Sequence, residues 1–76
     1  KTLLSSDLFV GQHVYLLYEN SKYLCCVSMI YHHSSSFCIN PIGDTLNPIP
    51  YGAVLQDRFQ MYCAQNSIEG PIVISA

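Results

Sequence analysis

The chain has 76 residues, of which 50% are hydrophobic and only 11% are charged. This length allows one domain, which we place at residues 1–76. A typical globular domain carries roughly 25% charged residues, so ionised side chains are scarce here. Three cations cannot form a basic stripe, and a net charge of −2 disfavours contact with phosphates. The composition therefore predicts no nucleic-acid partner.

The apolar runs are too short for a membrane segment. Residues 14–18 form such a run, far below the roughly 20 residues of a membrane helix. The polar Ser5, Ser6 and Asp7 interrupt the N-terminal leucines, so no signal peptide is predicted. Because the chain does not begin with Met, we interpret it as a trimmed chain or a piece of a longer protein. No membrane partner is predicted. The compartment stays open, with the cytoplasm favoured because no Asn-x-Ser/Thr sequon occurs.

Turn residues recur roughly every 8–12 positions between stretches rich in Tyr, Val, Ile and Phe, which is typical of all-β domains. Strands are predicted at residues 12–18, 23–31, 36–40, 51–56, 59–64 and 72–74. Turns are predicted at residues 19–22, 33–35 and 65–66, and three prolines predict a loop over residues 41–50. The predicted fold class is all-β: a small curved antiparallel meander or barrel of five to six short strands. At most one short helical turn is predicted, at the N-terminus.

The second predicted strand, residues 23–31, has two largely apolar faces. One face carries Tyr23, Cys25, Val27, Met29 and Tyr31, and the other carries Leu24, Cys26, Ser28, Ile30 and His32. Such a strand is expected to be central and covered on both sides, or to curl across a barrel. The first strand lacks charges over residues 14–18, so either barrel closure covers its edge or a partner strand adds to it.

The chain has four cysteines, which permit two disulfides in three pairings: Cys25, Cys26, Cys38 and Cys63. Neighbours in a strand point to opposite faces, so Cys25 and Cys26 could not join one partner layer. Buried free thiols are the favoured interpretation. His32 and His33 come nearest to a metal site with Cys26 and Cys38, but the paired spacing of zinc ligands is missing. We predict no metal, no cofactor and no enzymatic activity.

Three segments carry a resemblance to known barrels: FVGQHVY at residues 9–15, YLCCV at residues 23–27 and FCI at residues 37–39. They resemble the opening of small Tudor-like β-barrels, with a hydrophobic-x-Gly-x-x-Val step followed by a Tyr-x-x-x-Val step. The N-terminal barrel of PilZ-type regulators is similar, with a Pro after the third strand like Pro41. The resemblance covers roughly residues 9–64 and implies a small curved barrel. Arg58 is the only arginine, so the arginine-rich PilZ ligand motif has no counterpart and no ligand is implied.

Tyrosines are the candidate binding residues, in an interface or a cleft: Tyr15, Tyr18, Tyr23, Tyr31, Tyr51 and Tyr62. Rings of this kind can form core, anchor a protein interface, or cage a methylammonium group. Tyr18 and Tyr23 flank the first turn, and we expect them to lie across from each other. Glu19 is the nearby acid that a cation cage would use.

The leading functional hypothesis is a non-enzymatic protein-binding or assembly module that acts through an uncharged, Tyr-rich surface. Charge depletion is typical of interface cores, and a chain this short has only a marginal core of its own. The expected partner is a second copy, in a homo-oligomer, or another protein. One alternative is a ligand- or peptide-reading module with an aromatic cleft formed by Tyr18, Tyr23 and Tyr31. A second alternative is a cysteine-dependent enzyme or redox protein, with Cys38 or Cys63 as nucleophile.

Overall fold

The computed structural model describes residues 1–42 and 54–76. Within these residues the elements follow one another in this order: a 3-10 turn (Ser5–Asp7), β1 (His13–Tyr18), β2 (Ser21–Tyr31), β3 (Ser36–Pro41), β4 (Leu55–Gln56), α1 (Asp57–Asn66) and β5 (Ile72–Ser75). The strands form one antiparallel sheet in the order β4-β3-β2-β1-β5, and this sheet curls into a half-barrel. The prediction of a small, curved, mostly antiparallel β fold is confirmed.

Four of the predicted strands correspond closely to β1, β2, β3 and β5. The C-terminal end of the predicted strand 51–56 is β4. Residues 51–53 of that strand lie outside the described residues, and so does the predicted loop from residue 43 onward. An open edge at residues 14–18 is not found, because β1 lies between β2 and β5. Leu16 has Tyr23 on one side and Val73 on the other. The return of β5 therefore covers this edge.

A two-residue turn joins β1 to β2. Glu19 has φ 51° and Asn20 has φ 61°, and two positive φ angles are the signature of a type I′ hairpin turn. This turn places Tyr18 opposite Ser21, whereas Tyr23 lies opposite Leu16. The expectation that Tyr18 and Tyr23 face each other is wrong, because the turn uses two residues and not the four predicted at residues 19–22.

A bulge at Ser28 changes which side chains of β2 face inward. The register with β3 shifts between Val27 and Met29, so Ser28 is the extra residue. Val27 is buried before the bulge and Ile30 packs against the core after it, whereas Met29 and Tyr31 are 50% and 40% exposed. The prediction that Met29 and Tyr31 share the face of Val27 is wrong, because one inserted residue reverses the alternation of a strand.

The predicted strand at residues 59–64 is also wrong, since these residues belong to α1. The buried positions of this helix are Gln60 and Cys63, whose spacing of three suits one helical face. Over six residues, the alternation of Phe59 and Met61 with their neighbours satisfies a strand pattern equally well. The helix ends at Ser67, which has φ 54° and whose N–H donates to the Cys63 carbonyl. α1 therefore exceeds the single N-terminal helical turn that the sequence predicted.

The core lies on the inner side of the curled sheet. Its buried members come from the N-terminal segment and all five strands: Leu8, Val14, Leu16, Cys25, Val27, Phe37, Ile39, Leu55 and Val73. Leu3, Tyr18, Tyr23 and Ile30 pack against this cluster from partly buried positions. The N-terminal segment thus closes the core that the strands leave open.

Helix α1 connects this segment to the sheet. The Asp57 carboxylate accepts hydrogen bonds from the Ser5 N–H at 2.9 Å and the Ser5 hydroxyl at 2.6 Å. The Asp57 N–H donates to the Ser35 carbonyl at 2.9 Å. Three parts of the chain therefore meet at Asp57: the N-terminal turn, the β2–β3 turn and the start of α1.

Helix α1 also satisfies the outer edge of β5. The Val73 N–H donates to Gln60 Oε1 at 2.9 Å, and the Val73 carbonyl accepts from the Leu3 N–H at 2.8 Å. A side chain and the N-terminal segment thus take the place of a neighbouring strand. An edge whose backbone groups are occupied in this way is a poor template for another strand.

We predict that Gly70→Ala destabilises the fold. A Cβ at Gly70 would lie 2.4 Å from Cys63 Sγ, well inside van der Waals contact. The free energy of unfolding, measured by urea denaturation, should fall by about 1–3 kcal/mol, the usual cost of overpacking a core. In a Cys63→Ala background the colliding sulfur is gone, so the same substitution should cost much less. An equal cost in both backgrounds would contradict this explanation.

Candidate functional site

The sheet presents an apolar surface on the side opposite the core. Cross-strand pairing places Tyr15 between Leu24 and Ile74, and places Leu17 beside Ile72. Side chains alternate along a strand, so these residues point away from the buried Val14, Leu16, Cys25 and Val73. We call this surface the outer patch: Tyr15, Leu17, Leu24, Cys26, Ile72 and Ile74.

The outer patch remains partly accessible to solvent. Leu24 is 37% exposed, and the other five side chains are half-buried by their neighbours in the sheet. Met29 and Tyr31 extend the apolar surface along β2 beyond the bulge. Large exposed apolar patches mark interaction sites, so the outer patch is the candidate contact surface of this domain.

One cation borders the outer patch. The Lys22 ammonium lies 4.2 Å from the centroid of the Tyr15 ring, in a cation–π contact. Lys22 is the one charged residue, counting Asp, Glu, Lys and Arg, in the described strands β1, β2 and β5. Its aliphatic stem adds to the apolar area, and its ammonium lies over the Tyr15 ring. The six residues of the outer patch themselves carry no charge.

The predicted tyrosine site divides between the two sides of the sheet. Tyr15 belongs to the outer patch. Tyr18 and Tyr23 instead pack against the core cluster on the inner side. Tyr18 and Tyr23, two of the rings proposed for an aromatic cleft, thus lie on the opposite side of the sheet from Tyr15.

The remaining tyrosines are dispersed. Tyr31 stands at the far end of β2, seven residues from Leu24, which is roughly 20 Å along a strand. Cys38 Sγ lies 4.0 Å from the Tyr31 hydroxyl. The side-chain hydrogen bond with Cys38, and then the electrostatic interaction with the same residue, raise the pKa of Tyr31. Tyr62 is 53% exposed on α1, and Tyr51 lies outside the described residues.

Among the recesses of the described surface, three are well defined. One of about 410 Å³ lies between the β1–β2 turn and the α1–β5 connection, with Tyr18 in its wall. One of about 640 Å³ lies between the β2–β3 turn and the start of α1, beside Arg58. The third, of about 160 Å³, lies beside Gln60. Of the tyrosines in the described part of the chain, Tyr18 alone lines any of the three, so these recesses do not gather several rings.

All four cysteines lie within the described residues and are free thiols. Cys25 is buried in the core while its neighbour Cys26 lies in the outer patch, so the predicted divergence of these two side chains is confirmed. Burial raises the pKa of Cys25 from 9.0 to about 11, partly opposed by a hydrogen bond with the Leu16 backbone. A thiol with a raised pKa is a poor nucleophile. Residues 1–42 and 54–76 contain no group of three or more His, Cys, Asp or Glu side chains that could hold a metal ion.

Reasoning from the sequence missed most of the outer patch. Leu17, Leu24, Ile72 and Ile74 were not among the predicted site residues, although they contribute much of its area. The signal that could have found Leu24 is the second apolar face of β2, which the sequence interpretation expected to be covered or to curl across a barrel. Within the described residues no such cover lies over Leu24, which is 37% exposed.

Comparison with known proteins found no matching family model, no similar curated protein and no similar solved structure. Among the described helices, none is long and apolar enough to cross a membrane. We therefore infer function from the geometry of this chain alone.

We predict that the free energy of unfolding falls at alkaline pH because the Cys25 thiol is buried. The folded state keeps a proton that the unfolded state releases above the ordinary thiol pKa. The stabilisation that protonated Cys25 gives the folded state is fully present below pH 9.0 and is lost as the pH rises through about 11. Urea unfolding at pH values below, within and above this window should show the free energy of unfolding falling in the wild type. In Cys25→Ala the fall should be smaller.

Cys26→Ala is the matched control, because it removes the adjacent thiol from the opposite face of the same strand. This variant should keep the fall in stability that the wild type shows. Identical pH profiles for the wild type and Cys25→Ala would contradict the assignment of the buried thiol.

Proposed function

We propose that this chain is a non-enzymatic protein-binding or assembly module that makes contact through its outer patch. The observation that supports the proposal is the unequal covering of the two apolar faces of β2. Cys25 and Val27 on the inner face are 0% exposed, whereas Leu24 and Met29 on the outer face are 37% and 50% exposed.

The chemistry of the outer patch suits a protein partner. Interface cores are depleted in charge and enriched in aromatic residues, and apolar area removed from water contributes about 25 cal/mol per Å². Tyr15 supplies a large ring with a polar tip, which is typical of contact residues. The aliphatic neighbours Leu17, Leu24, Ile72 and Ile74 supply the dry surface around that ring.

At the β5 side of the sheet, the geometry favours contact through the face over addition of a strand to the edge. Both backbone groups of Val73 on the outer edge of β5 are already bonded, to Gln60 and Leu3. Pro71, just before β5, has no N–H to offer. The expected partner is a second copy of the chain or another protein with an uncharged apolar surface.

We predict that Leu24→Lys weakens association. A charge at the centre of a buried apolar contact must be desolvated without a partner, which strongly disfavours the complex. Size-exclusion chromatography with light scattering at micromolar concentration should show a wild-type mass above that of one chain, and one chain for the variant. Tyr62→Lys is the control, since Tyr62 is 53% exposed on α1 and outside the outer patch. It should behave as the wild type does.

If the wild type is a single chain in isolation, the proposed partner is a different protein. A photo-crosslinking residue at position 24 should then give a defined adduct in cells, and the same residue at position 62 should not. A single-chain mass together with no adduct specific to position 24 would contradict the proposal.

A further inference from the structure

A row of three side chains crosses the outer patch close to the β1–β2 turn. Leu17 on β1 lies between Lys22 on β2 and Ile72 on β5. Residues that pair across neighbouring strands point to the same face of a sheet, so all three side chains lie on the outer side. The row is therefore asymmetric: it has a cation at its β2 end and aliphatic side chains in the middle and at its β5 end.

A carboxylate stands next to the β5 end of this row. Glu69 comes shortly before Ile72 in the α1–β5 connection, and its side chain is exposed. Glu69, Lys22, Leu17 and Ile72 all line the recess of about 410 Å³ beside the β1–β2 turn, and Glu19 is a second carboxylate on its wall. Because Leu17 and Ile72 belong to both, the recess is continuous with the outer patch.

The charges at the two ends of the row have no ionic partner within residues 1–42 and 54–76. The Lys22 ammonium lies 4.2 Å from the Tyr15 ring centroid, and neither Lys22 nor Glu69 forms an ion pair. Asp7 and Asp57, by contrast, accept hydrogen bonds from backbone N–H groups. A charge that a partner surface covers is costly unless an opposite charge pairs with it. A complex that covers the outer patch is therefore stabilised by an acid that reaches Lys22.

A second copy can supply that acid if the two outer patches meet about a two-fold axis parallel to β1. Because β1 is the middle strand of the three, such an axis reverses the order of the row. Lys22 of one copy then lies against the β5 end of the other copy's row, next to Glu69, and the same contact is repeated in reverse. Leu17 packs against Leu17 of the second copy. Sheets that pack face to face with nearly aligned strands are a common arrangement.

The neighbouring row of the outer patch is compatible with the same axis. Tyr15 on β1 lies between Leu24 on β2 and Ile74 on β5, so this row is uncharged at both ends. Its reversal places Leu24 of one copy against Ile74 of the other and brings the two Tyr15 rings together. The axis thus pairs apolar side chains with one another and opposite charges with one another.

We propose that the outer patch binds a second copy of this chain, with Lys22 of each copy paired to Glu69 of the other. This inference rests on the proposed contact function and adds the partner and its orientation. Each copy has a net charge of −2, so two copies repel one another at a distance. Pairing of opposite charges at the contact favours the one orientation in which both pairs form.

The test exchanges the two charges. Lys22→Glu and Glu69→Lys each place like charges together twice in a symmetric dimer. Each should raise the dissociation constant, measured by sedimentation equilibrium, by about tenfold or more. The double variant Lys22→Glu, Glu69→Lys re-forms both pairs with their signs reversed. It should return the dissociation constant to within about threefold of the wild-type value.

Arg58→Glu combined with Glu69→Lys is the matched control. This combination keeps the wild-type net charge of −2, but its new acid lies on α1, outside the outer patch. It should remain as weak a dimer as Glu69→Lys alone. Recovery in both combinations, or in neither, would overturn the reciprocal pairing. Lys22, Arg58 and Glu69 are all exposed, so the variants should fold, and urea unfolding of each checks this.

Failure of this inference can be told apart from failure of the proposed function. A wild type that stays a single chain across the concentration series overturns the second copy as partner, while contact with a different protein is tested by the crosslink at position 24. A wild-type dimer that Leu24→Lys dissociates but that the charge exchange does not restore overturns only the Lys22–Glu69 pairing. In that case contact through the outer patch stands.

Discussion

The curled sheet depends on a helix that occupies the outer edge of β5. Gln60 provides the acceptor that Val73 would otherwise need from another strand, and Leu3 provides the donor. Asp57 begins the same helix and holds the N-terminal turn through two hydrogen bonds to Ser5. Because an unpaired buried backbone group is costly, the position of α1 and the curl of the sheet are coupled. This closure also occupies both backbone groups of Val73 on the outer edge of β5.

The scarcity of charge in the chain has a structural counterpart in the outer patch. With 11% charged residues, ionised side chains cannot cover every side of so small a domain. The structure collects part of the remaining apolar surface on one face, around Tyr15 and Leu24, with the Lys22 ammonium over the Tyr15 ring. The bulge at Ser28 enlarges that face by turning Met29 and Tyr31 outward. A short domain thus has one core and a second apolar surface that association would bury.

Much of the fold could be predicted from local patterns. Period-two alternation and polar turns located β1, β2, β3 and β5, because strand pairing depends on those patterns directly. The helix could not be found in this way, since its buried stripe contains Gln60, a polar residue that breaks the apolar period. The candidate site was predicted only in part: Tyr15 and Tyr31 lie on the outer surface, whereas Tyr18 and Tyr23 pack against the core.

The amino-acid sequence by itself determined an antiparallel β domain in which charged residues are scarce. It also determined that the adjacent cysteines lie on opposite faces of a central strand and that this strand is apolar on both sides. These follow from side-chain chemistry and the two-residue period of a strand. Only the tertiary structure decided the two-residue turn at Glu19 and Asn20, the bulge at Ser28 and the bond from Val73 to Gln60. Each depends on a partner distant in the chain or on a backbone angle, and one shifted residue changes which side chains are buried.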